Sequence, residues 1–369
     1  MSGVLTRALP DWPRPDPAQP GVIGVLPGEG IGPDVVAAAL EVLGVVCEGT
    51  TRRFDLRRGG VIGNPARKLH GKSLSDETVA FCEDVFAARG ALFCGPGGAR
   101  FVYELRDRFD LYCKFTPLQP TPALRDAGPL RPEIVADVDV IAVRENIGGL
   151  YFGQWGRGED RQGRPHAFHS FDYRQDQVDR ILDASVKLAA LRQKRLCLVI
   201  KREGTPAIAE LWVERAQALV KGTPVKLDVL DIDNAVYQLV ANPRQFDVFV
   251  SSNMFGDVLA DTGSAVLASR GMSYSGNYGP EGRASYQTGH GAAYDLTGAG
   301  TANPCGQILS LAMMLEESFD WSEGARRVRA AVAATLTAGW RTADVAGPGS
   351  RVVGTQALAQ KVCEELRKK

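Results

Sequence analysis

Two aspartates, Asp257 and Asp261, stand four residues apart in SSNMFGDVLAD, just past the apolar run Phe246, Val248, Phe249 and Val250. A helical pattern starting at Met254 projects both carboxylates from one face, beside a strand end. Two stacked acids repel unless a cation lies between them, and a hard, oxygen-preferring ion such as Mg²⁺ or Mn²⁺ suits the donors. Arg144 closes an apolar strand predicted over 138–143 and is followed by Gly148, Gly149 and Tyr151. An arginine at a buried strand end, beside a glycine turn and a phenol, suits anion binding and proton donation. Lys201 ends a second strand, 195–200, where desolvation is expected to lower its pKa and make it a base. A solvent-facing lysine is the alternative.

These groups need elements to hold them. A strand at 22–26 leads through PGEGIGPD, residues 27–34, into a helix over 35–46, with Pro33 suited to a first helical turn. The glycine spacing there is GxGxG, and no acidic residue ends a second strand at the expected distance, so the dinucleotide fingerprint is absent. A helix at 75–88 and a strand at 91–94 follow. The stretch 99–120 carries Arg100, Arg106, Arg108 and Lys114, offset by Glu104, Asp107 and Asp110. Residues 154–172 form a polar excursion. A helix over 175–192 and a strand over 226–231 leading to Asp233 come next. The span 270–303 is expected to be loop-rich, and its TGHGAAYDLTGAGTANP suggests a nucleotide-contacting loop. Helices at 304–317, 322–338 and 355–367 close the chain. Alternating strands and helices give an α/β architecture.

The bulk numbers narrow the function. The 43 basic residues balance 43 acidic ones among 369, which removes a whole-protein case for nucleic acid or an anionic membrane surface. No apolar run is long enough to cross a bilayer, and no signal-peptide core is evident. Seven cysteines, an odd number without close pairs, point to reduced thiols and a cytoplasmic location. Residues 1–20, with five prolines, are expected to be a flexible or surface-draped tail.

Six segments in order, GEGIGPDV (28–35), LRDRFDLY (105–112), VRENIGGLYFG (143–153), SSNMFGDVLAD (251–261), GHGAAYDLTGAGTANP (289–304) and RTAD (341–344), resemble the isocitrate and isopropylmalate dehydrogenase family. The resemblance implies a two-domain fold unlike the Rossmann domain. Residues 21–111 and 268–369 would make the cofactor-side domain, and 112–267 the substrate, metal and dimerisation domain. It implies a homodimer with shared active sites, interlocked through an arm at 154–172. Asp257 and Asp261 would hold Mg²⁺ or Mn²⁺ with Asp233 of the other copy, and Lys201, also from that copy, would assist proton removal. Tyr151 would protonate the product carbon, while Arg106 and Arg144 would clamp substrate carboxylates. His290, Gly291, Ala292, Asp295 and Asn303 would bind the cofactor, with Asp295 favouring NAD because it repels a 2′-phosphate. The implied activity is NAD-dependent oxidation, with decarboxylation, of a malate-like 2-hydroxy acid.

The chain departs from the family at the substrate. Thr116 stands where the family has an arginine, the loss of a bidentate contact worth roughly 1.5–3 kcal/mol. Either the substrate has one anionic group fewer, or Lys114 or Arg100 compensates. Arg100 and Val102 occupy the segment that contacts the variable side group in relatives, and Arg100 argues against a purely apolar pocket. Glu203 and Gln287 replace an expected asparagine and glutamate near the cofactor. These changes leave two alternatives: oxidation of an atypical hydroxyl substrate without loss of carbon dioxide, and a silent regulatory subunit.

Overall fold

The computed structural model describes residues 4–16 and 18–368. Twelve of the fourteen strands among the described residues concern the site: β1 (Gly21–Leu26), β2 (Phe54–Arg58), β3 (Ala91–Cys94), β4 (Cys113–Leu118), β5 (Val140–Glu145) and β6 (Gln154–Glu159) come first. β7 (Pro165–Ser170), β8 (Arg195–Ile200), β9 (Lys226–Asp231), β10 (Val248–Ser251), β11 (Tyr274–Tyr278) and β12 (Ala284–Thr288) follow. Ten of them form one sheet in the order β2-β1-β3-β12-β11-β4-β5-β10-β8-β9. Both wings are parallel, as strand-helix-strand crossovers require. The middle, β12-β11-β4-β5, is antiparallel. Strands β3, β4, β5 and β10 are buried along their whole length, between helices on both faces.

The middle of the sheet is where the sequence reading needs correction. The span 270–303 is not only loop, because it supplies β11 and β12 to the centre of the sheet. In YSGNY and ASYQT one face carries Tyr274, Tyr278, Ala284 and Tyr286, which join the main core. The polar residues of the other face are buried because they satisfy one another and the backbone. Ser275 donates to the Gln287 carbonyl at 3.2 Å, and Asn277 donates to the Ser285 carbonyl and hydroxyl at 3.3 and 3.2 Å. Asn146 in turn donates to Asn277 Oδ1 at 3.0 Å. The basic stretch at 99–120 divides into a helix, Phe101–Arg108, and β4. Strand β5 runs two residues past its expected end, so Arg144 and Glu145 lie within it.

The proline-rich start is anchored where the structure describes it. Leu5, Ala8 and Leu9 are buried in the main core. Buried Glu317 accepts from the Thr6 amide at 2.9 Å, the Thr6 hydroxyl at 2.8 Å and the Leu5 amide at 3.3 Å. The Trp12 indole donates to the Glu317 carbonyl at 3.2 Å and packs edge-on against Tyr278. Pro17 lies outside the described residues. The excursion at 154–172 contains an antiparallel hairpin, β6–β7, almost wholly exposed, with Trp155 and Phe168 open to solvent.

Candidate active site

Strand β5 and the helix Asn253–Val266 bring Arg144, Tyr151 and Asp257 together. Arg144 is only 3% exposed and reaches Asn253 Oδ1 with Nε at 3.0 Å and Nη2 at 2.7 Å. Its Nη1 forms a short ion pair with Asp257. Gly256 makes the room: a Cβ there would lie 2.8 Å from Arg144 Cγ. Asn253 is itself fixed: its Nδ2 donates to the Gly148 carbonyl at 3.0 Å and its backbone N–H donates to Tyr173 Oη at 2.9 Å. The Tyr151 hydroxyl donates to Asp257 Oδ2 at 3.0 Å, and the Arg144 guanidinium lies 5.7 Å from the Tyr151 ring centre.

The electrostatics are one-sided. Arg106, on the helix Phe101–Arg108, is 4% exposed, and Lys114, on β4, is 6% exposed. Burial, and then Arg144 beside it, pushes Arg106 down to about 9. Burial, with Arg106 and Arg144 adding to it, pushes Lys114 down to about 7. For Asp257 burial works to raise the pKa, but Arg144, Lys114, the Tyr151 hydrogen bond and Arg106 together hold it below the usual carboxylate value. Burial and the neighbouring Asp257 push Tyr151 up to about 12, so its phenol stays protonated at neutral pH.

The remaining expected site residues fall in three places. Thr116 is buried on β4, opposite Ala142, and presents no charge. Arg100 is exposed but held by contacts within the chain. Its guanidinium donates to the Tyr151 carbonyl at 2.8 Å and lies over the rings of Tyr103 at 4.7 Å and Trp155 at 5.4 Å. It therefore secures the turn that carries Tyr151. Asp261 pairs with Arg270 at 3.0 Å. Lys201 and Asp233 form their own ion pair at 2.5 Å, next to β8 and the edge strand β9. The expected lowering of the Lys201 pKa is reversed. The hydrogen bond it donates to Asp233 raises it, and the two side chains are 39% and 69% exposed.

Asp257 and Asp261 fit a hard cation as donors, with side chains 38% and 50% exposed and hence open to one. Among the described residues no third acid, histidine or cysteine joins them in one cluster. Asp233 is paired instead with Lys201.

His290, Gly291 and Asn303 line a cavity together with Ile31, Arg270 and Asp344. His290 Nδ1 lies 2.9 Å from the Gly291 carbonyl, while its Nε2 is buried without a partner, an orphaned polar atom that a nucleotide can satisfy. Ala292 contributes backbone: its carbonyl accepts from the Ile31 amide at 2.9 Å. Gly30, at φ +63°, makes that approach feasible, because a Cβ there would sit 2.0 Å from the Ala292 oxygen. The glycine-rich segment 27–34 thus braces the 289–297 loop. Asp295 lies on an exposed turn, Tyr294–Leu296. The acid in the cavity wall is Asp344, which accepts from Asn303 Nδ2 at 3.1 Å and Thr342 Oγ1 at 2.6 Å.

Sequence reasoning passed over Asn253 and Asp344 as site residues. Asn253 had a signal, as the polar residue that breaks the strand before an acid-bearing helix. Asp344 lay in the RTAD segment without a role.

The family model described as isocitrate/isopropylmalate dehydrogenase matches residues 22–362. A 3-isopropylmalate dehydrogenase of Methylococcus capsulatus is 37% identical over 359 residues, 94% of this chain and 98% of the relative. A 3-isopropylmalate dehydrogenase of Pseudomonas putida is 37% identical over 357 residues, 93% and 98% of the two chains. Among solved structures, an isocitrate dehydrogenase from Methylococcus capsulatus superposes with a TM-score of 0.82 at 27% identity, over 94% of this chain and all of the other.

Proposed function

The chain belongs to the isocitrate/isopropylmalate dehydrogenase family and is a hydroxy-acid dehydrogenase using NAD and Mg²⁺ or Mn²⁺; from that premise we propose that it oxidises and decarboxylates a malate-like 2-hydroxy acid. The observation that carries this reading is Asp257, held between a buried arginine and a protonated tyrosine on one side and open to a cation on the other. Arg144 and Arg106 bind and orient the substrate carboxylates. Bound cation and NAD supply Lewis acidity at the oxidised oxygen and a hydride acceptor. Tyr151 holds the proton that goes to the product carbon once carbon dioxide has left. Its pKa suits that task, because Asp257 and burial keep the proton on the phenol until a stronger base, the carbanionic carbon, is formed beside it.

Lys201 and Asp233 complete the site from a second copy in this proposal, which their separation from Asp257 within one chain supports. The exposed β6–β7 hairpin, with Trp155 and Phe168 uncovered, is the interlocking arm. The division of the chain at 111/112 and 267/268 into cofactor and substrate halves corresponds to the passage from β11 to β4. The relatives named for 3-isopropylmalate favour a 3-substituted malate. No helix among the described residues is long and apolar enough to cross a membrane.

NAD reduction with a panel of 3-substituted malates, with and without Mn²⁺, tests the reading. One carbon dioxide released per NADH is the expected result. Turnover that survives exhaustive chelation overturns it, and NADH without carbon dioxide establishes the non-decarboxylating alternative.

A further inference from the structure

The centre of the sheet holds more positive charge than the chain itself neutralises. Within the chain Arg144 already has Asn253 and Asp257 as partners, and Asp261 has Arg270. Arg106 and Lys114, both more than nine-tenths buried, have side chains that form no hydrogen bond or ion pair with any described residue. Burying two basic side chains without a direct ion-pair partner is costly, and an arriving anion offsets that cost.

The register says where that anion goes. Lys114 is paired directly across the ladder with Arg144, so the two side chains share a face. Thr116 is two residues further along β4 and shares that face as well. The cation missing at 116 therefore reappears at 114, about 7 Å along the same strand face and closer to Asp257. The other residue offered as a substitute, Arg100, is held by the Tyr151 carbonyl and two aromatic rings.

The geometry points to Lys114 as a substrate-binding residue that, with Arg106, receives the second acidic group of a substrate that is at least a dianion. This rests on the proposed hydroxy-acid site but concerns the chain's own charges. It decides between the two explanations for Thr116, since the substrate keeps its second carboxylate and the protein relocates the partner. A lysine supplies a rotatable point charge in place of a planar fork, so it tolerates dianions of different geometry better than an arginine does.

Calorimetric titration of the full-length, metal-free protein with malonate separates this proposal from the catalytic reading. Wild type binds malonate, Lys114→Met weakens it about 10-fold or more, and Lys114→Arg retains most of the affinity. Lys114→Met also melts no lower than wild type without ligand, because it removes an uncompensated buried charge, whereas a purely structural lysine would lower the melting temperature. In turnover, Lys114→Met raises KM for malates far more than it lowers kcat. Malonate that fails to bind wild type, or binds Lys114→Met as well, overturns the proposal. If malonate binds through Lys114 and no malate is turned over, the catalytic reading fails and the dianion site stands.

Discussion

The two groups of charged residues in this protein are built in opposite ways. Around Arg106, Lys114, Arg144 and Asp257 the chain supplies its own walls: central strands beneath, a helix above, and Asn253 locking the guanidinium. Lys201 and Asp233 stand beside the last two strands, β8 and β9, and form one ion pair with side chains 39% and 69% exposed. Buried charges hold one geometry because leaving it costs solvation, whereas an exposed pair is weak and adjustable. In the proposed function the first group is one half of a site, and the second is the other half, supplied by a second copy.

The sharpest way to break this contrast is to damage each half in a different copy. Asp257→Asn and Lys201→Met should each lower kcat by about 10²–10³-fold alone. Mixed, unfolded together and reassembled, they should recover roughly a quarter of wild-type activity, because half of the two-fold dimers would be mixed and one of their two sites intact. No recovery would place both halves in the same copy. A smaller effect is expected from Arg144→Lys, which keeps the charge but loses the fork that grips Asn253 and Asp257. A 10–100-fold drop in kcat/KM, with the fold unchanged by circular dichroism, would match the loss of charge-assisted bonds. The smallest is a stability effect in metal-free protein. Asp257 has its carboxyl held below the ordinary value, so its contribution is present above about pH 4 and is lost as the pH falls through its folded value. Asp257→Asn should therefore melt a few degrees below wild type at pH 7, with the gap closing under acid. Asp233→Asn should show almost no gap at either pH, and equal gaps for the two would erase the distinction.

Where hydrophobic pattern and structure coincide, the sequence was legible. The run ending at Val250 and the i, i+4 acids lie on the strand and helix expected of them, and Arg144 and Tyr151 meet as their glycine turn suggested. What escaped were features set by partners distant in sequence. YSGNY and ASYQT read as loop because their burial depends on Asn146 and on each other. Lys201 read as a desolvated base because a strand end looks alike whether or not anything covers it. Arg100 read as a pocket residue, but its position is settled by Tyr103 and Trp155, the latter 55 residues on in the chain. Asp344 reaches Asn303 from 41 residues away, a meeting no local pattern announces.

The antiparallel centre has one more consequence. Since β11 is hydrogen-bonded to β12 on one side and to β4 on the other, the nucleotide cavity and the anion site are joined by an unbroken ladder with no flexible linker between them. The register that pairs Lys114 with Asn277 on one side and with Arg144 on the other therefore fixes the spacing of the two regions by backbone hydrogen bonds.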